Sequence, residues 1–220
     1  MPYPQAPWTL KGYAVQTLQL IDIDKVRPLI PSELEIVSVW PGKTLGGVYI
    51  SSYQAGSVLE YNELIVAGGL VRYKDKFGSW ISHIYVDNSD SVAGGREIWG
   101  LPKEMAEFTW IKGDNPSVVV RQDDRPLCSL SYSKPSIALP LSLGAPVLSC
   151  LGTDFLLFKG EFESRLSLVS GKVEVPPESP FASLNLDRPW FTIYCDDLRF
   201  LAGTPEVVGE TQGLRVATAV

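Results

Sequence analysis

The stretch NELIVAGGLVRY, residues 62–73, is followed after five residues by SWISHIYVD, residues 79–87. Both are rich in β-branched and aromatic residues, which is typical of β-strands. Segments of the same kind recur on either side: GYAVQTLQL (12–20), LGGVYISSY (45–53), PSVVVRQ (116–122), PLCSLSYS (126–133), FLLFKGEFESRLSLVSGKVEV (155–175) and PWFTIYCDDLRF (189–200). Together they predict a mainly antiparallel sheet.

Helical signals are few, and turn-forming residues are frequent and evenly spread, with 19 glycines and 17 prolines. Residues 22–30 predict one or two helical turns capped by Asp22 or Asp24. Residues 101–108 predict another helix, with Pro102 at its first position. Since no repeat or linker divides the chain, we expect one α+β, mainly antiparallel domain over residues 1–220. Its sheet should be strongly curved or closed, which hides the strand edges.

Composition and charge exclude several classes of protein. The formal net charge is −6, whereas a nucleic-acid binder needs a concentrated basic face. Cys128, Cys150 and Cys195 lie far apart and His83 is the single histidine, so we expect no metal site, no disulfide framework and no cofactor. The cysteine usage and the lack of a signal-peptide pattern in the first residues favour the reducing cytoplasm.

The apolar stretch SIALPLSLGAPVLSCLGTDFLLF, residues 136–158, is long enough to raise the question of a membrane span. Two prolines, two glycines and Asp154 interrupt it. We therefore predict that it is a buried segment or a subunit contact and that the chain has no membrane span.

Lys103 is the candidate nucleophile, because the chain has no GxSxG motif and its segment AGGREIWG, residues 93–100, fits neither GxGxxG nor GK[ST]. It lies in GGREIWGLPKEMAEF, residues 94–108, among apolar neighbours. An amine attacks a ketone only when neutral, and holding a free lysine neutral at pH 7 costs about 4.6 kcal/mol against a reference pKa near 10.4. Burial in an apolar wall penalises the ammonium by that order. The same context also suits an ordinary lysine whose charge reaches water.

Three blocks of sequence resemble the core signature of the acetoacetate decarboxylase family in order and spacing. They are YNEL (61–64), HIYVDN (83–88) and AGGREIWGLPKEMAEF (93–108). DIDKVRPLIPSELEI (22–36) is similar to an upstream segment of that family, and PFASLNLDRPWFTIYCDDLRFLAG (180–203) resembles its terminal strands more weakly. The resemblance covers most of the chain and implies the family's β-barrel fold, its homo-oligomeric habit and its small-molecule keto-acid substrates.

By this resemblance, Lys103 is the lysine that forms a Schiff base with the substrate ketone. Activation of that lysine by desolvation or a neighbouring cation is the known device of the family. The protonated imine accepts the electron pair released when carbon dioxide leaves. Glu63 matches the active-site glutamate, which orients the substrate or moves a proton.

The other matching positions are Tyr61, His83, Arg96 and Glu97, and the resemblance implies that they surround the substrate. For Arg96 and Glu97 the alternative is an ion pair that shapes the lysine loop. For His83 it is a hydrogen-bonded core residue.

Two positions depart from the family pattern. Glu104 stands where the decarboxylase has a second lysine, although neighbouring side chains on a strand or helix diverge. Near Lys11–Gly12 the decarboxylase has an arginine for the substrate carboxylate, and Lys11 can replace it only as a point charge. Both changes weaken the case for acetoacetate as the substrate, and they are compatible with another keto acid or with aldol or dehydration chemistry through the same imine.

A nearer resemblance, at residues 7–21, 30–53 and 100–108, is to the plant neoxanthin-deficient proteins, a branch of the same superfamily required for making a carotenoid. This chain retains Lys103, whereas the resemblance implies another residue there in that branch. The alternative to a lyase is therefore a non-catalytic protein that binds an apolar, isoprenoid-type ligand.

Overall fold

The computed structural model describes residues 3–211. The strands are β1 Trp8–Asp22, β2 Glu35–Ile36, β3 Lys43–Tyr53, β4 Tyr61–Tyr73, β5 Lys76–Val86, β6 Lys103–Met105, β7 Glu107–Ile111, β8 Ser117–Gln122, β9 Arg125–Tyr132, β10 Leu139–Leu151, β11 Asp154–Val169, β12 Gly171–Glu174, β13 Phe191–Ala202 and β14 Glu206–Glu210. The helices are α1 Ile23–Val26 and α2 Ser89–Trp99, with short 3-10 turns at Arg27–Leu29 and Ala182–Leu184.

The seven longest strands form a closed ring. β4, β3, β1, β13, β11, β10 and β5 follow one another, and β5 pairs again with β4. Neighbours in the ring are antiparallel except β10 and β5, which are parallel and pair through Val147–Ser79 and Leu148–Trp80. The ring confirms the predicted closed, mainly antiparallel sheet, and its closure leaves few free edges.

A second antiparallel sheet, in the order β12-β9-β8-β7, covers part of the outside of this barrel. Its apolar side chains, among them Val120 and Leu130, share one core with outward-facing residues of the barrel, among them Ile50. Tyr49, the neighbour of Ile50, faces inward and belongs to a separate cluster. Because side chains alternate along a strand, the barrel wall at β3 and β4 is packed on both faces, which explains the nearly continuous apolar runs in these two strands.

Helix α2 lies before the lysine segment, where we had not predicted a helix. The Asn88 side chain caps it by accepting from the backbone N–H groups of Asp90 and Ser91, and Gly100 ends it with a φ of 59°. The prediction of a helix over residues 101–108 is wrong, since these residues contribute to β6 and β7. Pro102 follows the helix end instead of opening a new helix.

The first predicted turn, over residues 22–30, is confirmed as α1 and the adjoining 3-10 turn, with Asp22 at the N-cap position. The apolar stretch at residues 136–158 forms β10 and the start of β11. Its second half is buried around Leu148, while Leu139, Leu141 and Leu143 in the first half are exposed. None of the helices between residues 3 and 211 has the length and hydropathy needed to cross a bilayer.

Candidate active site

Lys103 is buried, with only 3% of its surface exposed. It begins β6, which runs parallel to β5 and places Lys103 beside Ile84. Its Nζ donates to Glu63 Oε1 at 2.7 Å and to Ser91 Oγ at 2.9 Å. The amine is therefore buried and is held by two polar partners.

Helix α2 shapes the space around the lysine. A Cβ at Gly95 would lie 2.4 Å from Lys103 Cδ and 2.6 Å from Cε, so the glycine makes room for the side chain. Arg96 Nε donates to the Lys103 backbone carbonyl at 2.7 Å and fixes the start of β6. Nζ also lies 5.0 Å from the ring centroid of Tyr61 and 5.9 Å from that of Trp8. These ring faces stabilise a cation on this nitrogen.

Glu63 lies on β4 and is 2% exposed. Its Oε2 accepts from the hydroxyl of Tyr53 at 3.1 Å, and the Tyr49 and Tyr53 hydroxyls are 3.2 Å apart. Burial raises the pKa values of both tyrosines well above their usual 10, so the hydroxyls stay protonated near neutral pH. A chain of polar groups thus runs from Lys103 through Glu63 to Tyr53 and Tyr49.

These groups line a cavity of about 300 Å³ inside the barrel. Its wall is mostly aliphatic and aromatic, with Leu10, Phe162 and Phe200 as examples. Lys103 and Glu63 are its two charged side chains among the described residues that line it. In so apolar a site, charge–charge interactions are stronger than in water, and an unpaired charge is costly.

Glu104 lies outside the cavity. Its side chain is exposed and accepts from Gln122 Nε2 at 2.7 Å. Lys103 and Glu104 are neighbours on a strand and point to opposite faces, as the sequence had suggested they could. The extra anion that distinguishes this chain from the decarboxylase pattern therefore does not lie beside the amine.

His83 is partly buried on β5 and is not among the residues that line the cavity. Its Nδ1 lies 3.0 Å from Ser82 Oγ, and its ring is 5.5 Å from that of Phe181. Burial lowers the pKa of His83 from its usual 6.5, and the nearby Glu104 carboxylate opposes this shift more weakly. The described contacts fit the alternative that His83 is a packed, hydrogen-bonded residue.

We expect stability to fall as the pH drops below about 6.5. The folded-state pKa of His83 is lowered, so the unfolded chain takes up the proton first and gains free energy from it. The loss is at most about 1.4 kcal/mol per pH unit for this one proton. Urea unfolding at about pH 7.5 and 5.5 measures it, and His83→Gln should flatten the difference. An equal difference in the variant would contradict this assignment to the only histidine in the chain.

The remaining predicted site residues are spread over several environments. Tyr61 lines the cavity next to the lysine. Arg96 and Glu97 are exposed, and Glu97 accepts a hydrogen bond from the Tyr3 hydroxyl. Lys11 is exposed on β1 and is not among the residues that line the cavity. The structure thus brings Lys103, Glu63 and Tyr61 together, whereas Arg96 acts on the lysine segment through its backbone.

Ser91, Tyr49, Tyr53 and the role of Gly95 were not predicted from the sequence. Ser91 reaches the amine only because α2 turns back toward β6, and no local pattern signals that. Tyr49 and Tyr53 lie four residues apart on one strand, which puts both on the same face. This spacing could have indicated a pair of inward-facing hydroxyls.

The sequence and the fold of this chain both match known proteins. Residues 1–148 match the family model described as acetoacetate decarboxylase. The chain belongs to the acetoacetate decarboxylase family. Among solved structures, an acetoacetate decarboxylase from Legionella pneumophila matches with a TM-score of 0.74 over 96% of this chain and 90% of that one, at 17% identity. This likeness confirms the predicted fold.

Curated members and relatives of the acetoacetate decarboxylase family match over a shorter stretch. Protein NEOXANTHIN-DEFICIENT 1 of Solanum lycopersicum is 33% identical over 107 residues, which is 49% of this chain and 36% of that protein. An acetoacetate decarboxylase of Paraburkholderia phytofirmans is 31% identical over 104 residues, 46% of this chain and 35% of the relative. The aligned part thus spans about a third of these curated relatives. Both resemblances noted in the sequence are confirmed.

A metal site needs several nitrogen, sulfur or oxygen ligands close together. Between residues 3 and 211, no three side chains of His, Cys, Asp or Glu come together in a way that could hold one. The described residues that line the cavity offer a lysine, a carboxylate, hydroxyl groups, one thiol and one amide as polar chemistry.

Proposed function

We propose that this protein is a lyase in which Lys103 forms a Schiff base with a keto acid and then decarboxylates it or converts it by related aldol or dehydration chemistry. The observation that carries the proposal is the buried Lys103 Nζ, 2.7 Å from Glu63 Oε1 in the wall of an apolar cavity. Family membership supports the same reaction type.

The first step is a proton transfer from the Lys103 ammonium to Glu63 along their hydrogen bond. A neutral amine and a carboxylic acid suffer a smaller desolvation penalty in an apolar cavity than an ion pair does. The free amine then attacks the carbonyl carbon and forms a carbinolamine. Glu63 returns a proton to the departing hydroxyl as water leaves, which gives the protonated imine.

The protonated imine then serves as the electron sink. The bond between the α-carbon and the carboxylate breaks, its electron pair moves to the imine nitrogen, and carbon dioxide leaves. Protonation of the resulting enamine at carbon restores the iminium ion, and water hydrolyses it to the ketone product and free Lys103. The faces of Tyr61 and Trp8 favour the cationic intermediates on this nitrogen.

Reductive trapping tests the proposal. Cyanoborohydride with a panel of keto acids should add a reduced adduct to Lys103, located by mass spectrometry of peptides. Lys103→Arg should abolish the adduct, since arginine stays protonated. Lys172→Arg is the matched control, because Lys172 lies on β12 in the outer sheet with 72% of its side chain exposed. No adduct at residue 103 with any keto acid would overturn the proposal.

The second candidate is a non-catalytic protein that binds an apolar small molecule. The apolar lining of the cavity and the match to Protein NEOXANTHIN-DEFICIENT 1 favour it. It requires that an apolar ligand co-purify with the protein and that binding persist in Lys103→Arg. If keto acids are trapped on the wild type and Lys103→Arg loses its function, the result supports the lyase and contradicts the binding protein.

A further inference from the structure

We propose that the substrate of Lys103 carries an apolar chain of about ten carbon atoms, with its carbonyl group at the lysine and its chain along the inside of the barrel. This inference rests on the proposed Schiff base and names the substrate class for it. The inferred substrate is a long-chain carbonyl compound and not a short keto acid such as acetoacetate.

The charges in the cavity argue against a short, strongly polar substrate. Lys103 and Glu63 neutralise each other at 2.7 Å, and the other described lining residues supply no further charge. The additional polar positions are hydroxyls, one thiol and one amide, and Ser164 is already occupied by donating to the Asp196 carbonyl. Burial raises the pKa of the Cys195 thiol to about 11, so it is neutral as well.

The size of the cavity fits a chain. An apolar cavity of about 150 Å³ holds one benzene molecule, so 300 Å³ has room for about twelve carbon atoms. On β11 the lining runs from Phe158 to Leu166, about 26 Å along the strand. A four-carbon acid would leave most of this wall unfilled, whereas a chain would cover it and release the water next to it.

The exposed leucines of β10 mark one place where the cavity reaches solvent. Leu141 and Leu143 line the cavity, yet they are 48% and 46% exposed. Leu139, one pleat further along the same face, is 67% exposed. An apolar chain can slide along these side chains into the barrel, and the carbonyl end finds hydrogen-bonding partners at Lys103 and Glu63.

A series of methyl ketones tests the inference with the reacting group kept constant. Cyanoborohydride trapping at Lys103 is measured with 2-butanone, 2-heptanone and 2-undecanone, and the concentration for half-maximal trapping is compared. Each buried CH₂ is worth about fourfold in affinity. We expect that concentration to fall by at least about 100-fold from 2-butanone to 2-undecanone.

A variant at the cavity opening provides a second readout. Leu143→Asp places a charge on the lining and should remove most of the advantage of 2-undecanone over 2-butanone in trapping. Ser142→Asp is the matched control, because Ser142 is exposed on the same strand and is not among the lining residues. It should change neither ketone.

The outcomes separate the two proposals. Equal trapping of short and long ketones would overturn the chain inference and leave the Schiff base standing. No trapping of any ketone or keto acid would overturn the Schiff base. In that case quenching of Trp8 and Trp99 fluorescence by the same series decides whether the cavity takes apolar chains, since both rings line it. Quenching that is independent of chain length would then overturn the chain inference too.

Discussion

Glu63→Leu is expected to lower the free energy of unfolding by about 3–5 kcal/mol at neutral pH. The substitution keeps a similar volume but leaves the Lys103 ammonium without its carboxylate in a site that is 3% exposed. An unpaired buried charge must stay unsolvated or give up its proton, and either route costs free energy. For a chain of this size the melting temperature should fall by about 10 °C, measured by thermal or urea unfolding.

The double variant Glu63→Leu/Lys103→Met is the control for that prediction. Replacing both members of a buried ion pair by apolar residues of similar size is often nearly neutral. We therefore expect the double variant to regain most of the stability that Glu63→Leu loses, although it cannot form an imine. A double variant as unstable as Glu63→Leu would show that Glu63 stabilises the fold through Tyr53 and not through Lys103.

Gly95→Ala is expected to lower the rate of imine formation by about 100-fold while leaving the helix intact. The new methyl group would lie 2.4 Å from Lys103 Cδ and push the amine out of line with Glu63 and Ser91. A misplacement of about 1 Å is enough for a loss of this size. Alanine also favours a helix over glycine by about 0.5–1 kcal/mol. The initial rate of cyanoborohydride trapping, with circular dichroism alongside, measures both effects.

Gly94→Ala serves as the comparison on the same helix. Its methyl group would lie 2.6 Å from the Trp8 ring, not against the lysine, so it should lower stability more and the trapping rate far less. A Gly95→Ala variant that traps ketones within about twofold of the wild type would contradict the proposed positioning of the amine by this helix.

The strands were predictable from the sequence, since the apolar runs of β3 and β4 reflect burial on both faces and the alternation along β11 reflects one exposed face. The helix was not, because the glycine pair Gly94–Gly95 weakens the helical pattern and Pro102 suggested a later start. The tertiary structure overrides that preference by packing Trp8 and Lys103 against the two glycines. The cap at Asn88 and the stop at Gly100 were signals that a closer inspection of the sequence could have used.

The site was only partly predictable for a different reason. Glu63 and Lys103 are 40 residues apart, and their contact depends on the register of β4 with β5 and of β5 with β6. Local sequence patterns contain no information about such pairing, so the two residues were linked only through the family resemblance. Ser91 and Tyr53 had no matching motif, and they became visible only from the hydrogen bonds that they form.

The barrel wall is packed on both sides at β3 and β4, which makes these strands intolerant of sliding. A shift of one residue in β3 would turn Ile50 toward the cavity inside the barrel. It would also move Tyr49, with its hydroxyl, into the apolar core between the barrel and the outer sheet. Mispaired states are thus penalised twice, once on each surface. The alignment that brings Glu63 to Lys103 is consequently enforced by side chains that never meet either residue.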